Sequence, residues 1–280
     1  MLIKSIGGKA QQVPELLAMC PPDIQTYYEP FAGSAALFWE LKRQDLIKGA
    51  VLNDRNRLLM DVYRAAQNCS QGLSEALDGL RALQGREPFE GMRTQLNAFI
   101  APNMPVGGRP DLSLIDRAAA VLYLNRRTFN GLFRVNQSGE LNMPWGADSA
   151  LTSTDRILEA GKLLQGARLD SGDFEASLKT ASKGDFVFAD PPYIGTFSGY
   201  SGVFGLKDHR RLEKVLASLD YFGIRWLVCN SESPEVRQIW RKWNLQTVQC
   251  RRNGNRDGAG RGNVPELRIS NYEVDNGTQE

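Results

Sequence analysis

Short apolar runs alternate with stretches of helical periodicity along much of this chain, and that alternation restricts its fold more than any single motif. TYYEPF (26–31), AVLND (50–54), ARLDS (167–171), DFVFAD (185–190), IRWLVCNS (224–231) and ELRIS (266–270) have the length and residue types of strands. Between the fourth and fifth, DHRRLEKVLASLDYFG repeats Leu212, Val215, Leu216, Leu219 and Phe222 at helical spacing, with Gly223 as its stop. SAALFWELKRQDLIKG, directly behind the first run, reads as another helix. Strands alternating with helices indicate βαβ units, so the expected class is α/β, a mostly parallel sheet with helices on both faces.

The middle of the chain breaks this rhythm. From about Asn56 to Gln95 it is helical and polar, and IAPNMPVGGRPD is a Pro/Gly-rich loop. RAAAVLYLNRRTF reads as an amphipathic helix, and NGLFRVNQSGELNMPWG as a hairpin turning on Gln-Ser-Gly and ended by Pro-Trp-Gly. The expected organisation is a catalytic domain from residues 1–55 and 160–280, interrupted by a lobe over 56–159 with a β-hairpin at about 129–146.

At 280 residues with a net charge of +2, the chain has room for a substantial core and shows no overall charge bias. No apolar run is long enough to span a membrane and MLIKSIGGKA is not a secretory signal, which points to the cytoplasm. Cys20, Cys69, Cys229 and Cys250 lack metal-ligand spacing and read as reduced structural thiols, so no metal site is expected. The solitary His209 reads as a surface residue at a helix start. Basic residues cluster in NRRTFNGLFR and CRRNGNRDGAGRGN, where Arg interleaved with Gly and Asn suits phosphate contact.

Chemistry gathers at strand ends. In YYEPFAGSAALF a strand ends at Glu29-Pro30-Phe31, small residues turn the chain, and a helix begins; such a turn lets backbone approach a ligand, although structural turns share the pattern. Asp54 follows the second strand, where an acid commonly holds a ribose hydroxyl pair. Neither GxGxxG nor a Walker signature is present, which disfavours dinucleotide and ATP sites and keeps an adenosine-containing ligand open. In LDSGDF, Asp173 can accept from an adenine amine while Phe174 covers the ring, or it can cap a helix. FVFADPPYIGTF is the strongest signal: two prolines fix the backbone after a strand and hold Asp190 and Tyr193 on a stiff bend. A chance DPPY is expected about once in a thousand chains of this length.

The order IGGK, EPFAGSAALF, LND, an inserted lobe, GDF and DPPY is similar to the α-group of DNA amino-methyltransferases, and more narrowly resembles the Dam family of DNA adenine-N6 methyltransferases. The resemblance covers almost the whole chain and implies a Rossmann-like S-adenosylmethionine-dependent fold whose inserted lobe recognises DNA. It implies that Asp190 and the Pro191 carbonyl accept the two N6 hydrogen bonds of a flipped-out adenine, held by Asp190-Pro191-Pro192-Tyr193, with Tyr193 stacked on the base. Gly7, Gly8, Lys9, Glu29, Phe31, Gly33, Ala35, Asp54, Asp173, Phe174 and Asp190 would line the S-adenosylmethionine pocket, which releases S-adenosylhomocysteine. The family's turn is FxGxG, and Ala35 replaces its second glycine, with weaker cofactor binding as the implied cost.

LYLNRRTFNGLFRVNQSGELNMPWG is similar to the family's recognition hairpin. By that likeness Arg134 reads a guanine in the major groove, Leu132 and Pro144 meet a thymine methyl, and Phe129 and Asn130 lie near the space left by the flipped base. Lys4 matches a lysine that reads the first guanine, and Arg126, Arg127 and Asn136 join the DNA surface. RRNGNRDGAGRGNVPELRISNY resembles the C-terminal arm, adding Arg251, Arg252, Arg256 and Arg261. The implied partner is double-stranded DNA, the implied site GATC, and the implied enzyme a monomer of bacterial or phage origin associated with the nucleoid, needing neither membrane nor metal. Two other readings compete. Cytosine-N4 methylation shares the geometry but more often presents Ser in place of Asp190, and a DNA-binding relative that has lost catalysis has Ala35 as its only hint. RNA or protein-glutamine methylation usually begins the tetrapeptide with Asn and lacks this lobe.

Overall fold

The structure is a computed structural model describing residues 1–4, 8–101, 111–129, 133, 136, 140–194, 204–251 and 263–274. In chain order the elements are a 3-10 turn Lys9–Gln11, α1 (Val13–Ala18), β1 (Thr26–Glu29), α2 (Ala36–Arg43), β2 (Gly49–Asp54) and α3 (Arg57–Gly79). There follow α4 (Arg86–Ile100), α5 (Leu114–Arg127), α6 (Thr154–Leu163), β3 (Ala167–Ser171), α7 (Phe174–Leu178) and β4 (Phe186–Ala189). The chain continues with α8 (Leu206–Tyr221), β5 (Arg225–Ser231), α9 (Pro234–Trp240), β6 (Asn244–Arg251) and β7 (Asn263–Ser270).

Two compact units emerge, one holding Lys9–Asn53 with residues 166–194 and 204–274, the other residues 1–8 with Asp54–Gln165. Met1–Lys4 and Gly8, expected with the catalytic domain, group with the helical unit. Leu2 and Ile3 in it are buried. The Asn125 side chain accepts from Lys4 N (2.9 Å) and donates to Lys4 O (2.8 Å).

In the first unit the strand order is β3-β2-β1-β4-β5-β7-β6. β1 pairs in parallel with β2 and β4, β4 in parallel with β5, and β7 runs antiparallel between β5 and β6. Alternate strand residues share a face. Tyr28, Val187, Ala189, Trp226, Val228, Leu267 and Ile269 join Leu212 and Leu216 of α8 and Val236 and Trp240 of α9 in one apolar core. The alternate strand positions Tyr27, Glu29, Phe186, Phe188, Cys229, Glu266 and Arg268 are also buried. One face of the sheet is thus almost wholly apolar, and the other carries buried charge. β6 was not expected: Asn, Gln and Thr interleave with its apolar residues because it lies at the sheet's edge with one neighbour.

In the second unit α5 is central. It was expected to be amphipathic, yet Ala118–Asn125 are all buried against a helical surround. Ser113 and Asp116 form its capping box. Asp61 of α3, also buried, is held by Arg117 at 3.0 Å and Arg64 at 3.3 Å.

Candidate active site

β4 delivers Asp190 to the site. All four of its residues are buried, and Asp185 anchors its start by accepting from Thr26 N at 3.0 Å and Ser182 N at 2.8 Å. Pro191 and Pro192 then remove two donors, so the ladder cannot continue and the chain turns. Asp190 Oδ1 lies 3.3 Å from the Nζ of Lys9 and, among the described residues, makes no hydrogen bond. Lys9 donates to the Tyr193 hydroxyl and, at 3.1 Å, to Glu266 Oε2, and Tyr193 OH donates to the same oxygen at 3.1 Å. The ammonium also stands 4.8 Å from the Tyr193 ring centroid. Arg268, fully buried beside Glu266 at 3.4 Å, closes an alternating chain of charges, Asp190–Lys9–Glu266–Arg268.

Burial pushes the Asp190 carboxyl up from the ordinary aspartate range; Lys9 pulls it back and Glu266 adds to the rise, with the upward influences prevailing. Asp190 is consequently a more basic acceptor than a surface aspartate. Burial alone would lower Lys9, but Asp190 and Glu266 outweigh it and keep the ammonium protonated. Glu266 is held below its ordinary value despite burial, chiefly by Lys9.

The other side of the turn is fixed by a residue expected at the surface. His209, in the first turn of α8, is completely buried: its Nε2 lies 3.1 Å from Pro192 O, and its Nδ1 3.3 Å from the Asn230 side-chain amide. A carbonyl can only accept and an amide nitrogen only donate, so the ring is neutral with its proton on Nε2. Burial depresses its pKa from 6.5 to about 4. Sequence reading missed it because its neighbours are charged, although His209 lies on the same helical stripe as Leu212 and Leu216. Asn230, Glu266 and Arg268 were also missed; two opposite charges at alternate positions of one interior strand are the signal that could have found the last pair.

At the C-terminal end of β1 the chain turns through Gly33 (φ 47°) and Ala35 (φ 51°), both left-handed. Ala35, almost fully buried, thus keeps the conformation that glycine favours, at a cost of about 1–2 kcal/mol. Asn53, another residue not foreseen, donates from one amide to Pro30 O (3.0 Å) and Gly172 O (3.2 Å), joining the β1 and β3 turns. Glu29 is buried and accepts from Tyr27 OH at 3.0 Å. Phe31 packs on Phe174 at 5.3 Å, and Phe174 is buried beneath the Arg211 guanidinium. Of the two readings of Asp173, the structure realises the cap: it accepts from Glu175 N at 3.0 Å and pairs with Arg211 at 2.7 and 3.1 Å. Asp54, ending β2, accepts from Asn56 N at 2.8 Å, and Gly8 is exposed.

Within the helical unit the side chain of Lys4 is exposed, and Arg126 bonds Thr152 at 3.1 Å. Arg127, expected at DNA, is instead buried, ion-paired with Asp148 at 2.5 Å and stacked 4.6 Å over Tyr123. Its charge is neutralised inside the unit, so it cannot meet phosphate as placed. The base of the expected hairpin closes where Thr128 Oγ1 and Phe129 N both donate to Pro144 O, at 2.8 and 3.2 Å. A Cβ on Gly146 would come within 2.6 Å of the Phe129 backbone, so only glycine fits there. Asn136 and Glu140 close a turn through both main chain and side chains, Phe129 is about half exposed and Pro144 exposed. Gly7, Asn130, Leu132, Arg134, Arg252, Arg256 and Arg261 lie outside the described residues, as does the Arg251 side chain.

Among the described residues no cluster of His, Cys, Asp and Glu could hold a metal, all four cysteines are free, and no helix is long and apolar enough to cross a membrane. The strand order, with an Asp-Pro-Pro-Tyr turn after the fourth strand, defines a Rossmann-like methyltransferase fold. The family model for the D12 class of N6 adenine-specific DNA methyltransferases matches residues 5–253, and the chain belongs to that family. It is 31% identical to a type II methyltransferase of Lactococcus lactis subsp. cremoris, over 96% of this chain and 94% of that protein. It is 28% identical to a type II methyltransferase of Methanocaldococcus jannaschii (96% and 98% covered) and 27% identical to a DNA adenine methylase of Haemophilus influenzae (95% and 91%).

Proposed function

We propose that this protein transfers the methyl group of S-adenosylmethionine to N6 of an adenine flipped out of duplex DNA, within GATC. The observation that carries the reading is Asp190: a partly buried, unusually basic carboxylate on a rigid turn, whose Oδ1 faces the Lys9 ammonium at 3.3 Å. The residues present fit the cofactor. The turn from Ala32 to Ala35 has small side chains and two left-handed positions, and Phe31 and the buried Glu29 precede it. Lys9, Gly8, Gly33 and Ala35 would contact it, with Asp54, Phe174 and Asp173 completing its surroundings; the part given to Asp173 requires it to keep Arg211 as a companion. Bound S-adenosylmethionine supplies an electrophilic methyl group.

The protein's own part is to prepare the nitrogen. An adenine amine is a weak nucleophile because its lone pair is delocalised into the ring. Asp190 and the Pro191 carbonyl would accept its two protons in hydrogen bonds, draw it toward tetrahedral geometry and offset the positive charge that grows on it. Lys9 stands at the hydroxyl end of Tyr193, and the proposal gives a face of the ring to the flipped base. Phe129, Asn130, Leu132, Arg134, Asn136 and Pro144 would read the target, with Lys4, Arg126 and the arginines of 251–261 on the DNA and the protein acting as a monomer. Sequencing of methylated adenines in DNA treated with the purified protein tests activity, base and site together. N6-methyladenine confined to GATC is expected; methyl groups on cytosine, or none, would refute the reading.

A further inference from the structure

The turn that carries Asp190 is gripped on the charged face of the sheet by a residue remote in sequence. One oxygen of Glu266 faces Lys9 at 3.1 Å, Tyr193 OH at 3.1 Å and Arg268 at 3.4 Å, with Gln12 Nε2 at 3.5 Å. We propose that Glu266 is a positioning residue for methyl transfer, holding Lys9 and Tyr193 in place around Asp190; this rests on the activity inferred above.

Lys9 lies between two carboxylates, with Asp190 at 3.3 Å and Glu266 at 3.1 Å. Without the charge of Glu266, Asp190 becomes its sole anion, and the ammonium moves onto the acceptor that the adenine amine requires. Tyr193 is fixed by the same atom: its hydroxyl receives from Lys9 and gives to Glu266, which sets the ring's direction as well as its depth. Arg268 balances the second carboxylate and draws on Gln12 Oε1 at 2.6 Å, so Glu266 stays ionised and serves Lys9 and Tyr193 at once.

The experiment compares the full-length protein with Glu266→Gln, which keeps size and one acceptor but removes charge, with Tyr193→Phe, and with the double variant. Single-turnover transfer to GATC duplex is expected to fall about tenfold or more in Glu266→Gln, with DNA affinity within about threefold of the parent. The acid limb of its pH–rate profile moves to lower pH, because the lost negative charge had raised Asp190's affinity for protons. The double variant loses less than the product of the two single losses, since both act through one contact. A second readout needs no turnover: the Lys9 ammonium resonance in nitrogen-15 spectra shifts in both single variants. A Glu266→Gln protein with the parent's rate and an unmoved acid limb would overturn the proposal. If that variant does not fold, an unmoved rate and Lys9 resonance in Tyr193→Phe would overturn it as well. A parent that transfers no methyl group while its Lys9 resonance still responds would overturn the inferred activity and sustain the coupling.

Discussion

The Asp190 turn and the Leu141–Gly146 segment, both non-repetitive, are held in place by opposite means. The turn is stiffened by two prolines and gripped by side chains whose partners lie 17, 73 and 184 residues away, all substantially buried. The hairpin base relies on backbone: Pro144 O takes two donors, Asn97 exchanges hydrogen bonds with the Leu141 main chain at 2.7 and 3.0 Å, Arg93 reaches Met143 O at 2.7 Å, and Gly146 permits close approach. Main-chain anchors do not depend on side-chain identity, so the segment they support can vary its side chains. A turn held by its own side chains and carbonyls cannot. The Asp190 turn is therefore fixed by residue identity, and the Leu141–Gly146 segment by backbone shape.

Substitutions can break this contrast. Asp190→Ala should lower methyl transfer by at least about a thousandfold while DNA affinity holds, because its role belongs to the transition state; near-normal turnover would refute the mechanism. His209 makes the turn sensitive to acid. Its pKa is about 4 when folded against an ordinary 6.5, so the unfolded chain binds more protons between these values and stability falls as pH drops through that window. The expected loss is up to about 3 kcal/mol, and His209→Gln should flatten it in denaturant titrations at pH 5 and 7. Gly146→Ala should cost about 2 kcal/mol through its clash with the Phe129 backbone, read as a lower melting temperature. Arg134→Ala should relax discrimination at one guanine by about 1–3 kcal/mol, measured by sequencing of methylated sites. The smallest effect belongs to Ala35→Gly, where relief of left-handed strain and added chain entropy nearly cancel, leaving stability within about 1 kcal/mol.

The sheet was legible wherever strands were buried on both faces. β1, β2, β4 and β5 announced themselves as apolar runs, and DPPY announced the site. β3, at one edge, was also read from ARLDS; β6, at the other, was not, because Asn, Gln and Thr interleave with its apolar residues. Arg127 was misread because NRR looks like a phosphate stripe; its burial depends on Asp148 and Tyr123, partners that no local pattern reveals. His209 and Glu266 were hidden for a related reason. His209 is polar in a polar-looking stretch and Glu266 opens a strand run read for its apolar residues; each becomes important only through contact with a turn elsewhere in the chain. Spacing located the reacting group, and tertiary structure alone showed what holds it.

The antiparallel seventh strand has a consequence for the order in which the protein becomes competent. Lys9 and Glu266 stand 257 residues apart, yet meet at one oxygen atom. A ribosome must have made nearly all of this sheet before the centre can close, and β7 must pair with β5 to bring Glu266 home. Chains that already carry the DPPY turn but lack β7 would hold Lys9 and Asp190 without their counterweight. The seventh strand thus brings in the last charged partner of the reaction centre, which is complete only when the sheet is.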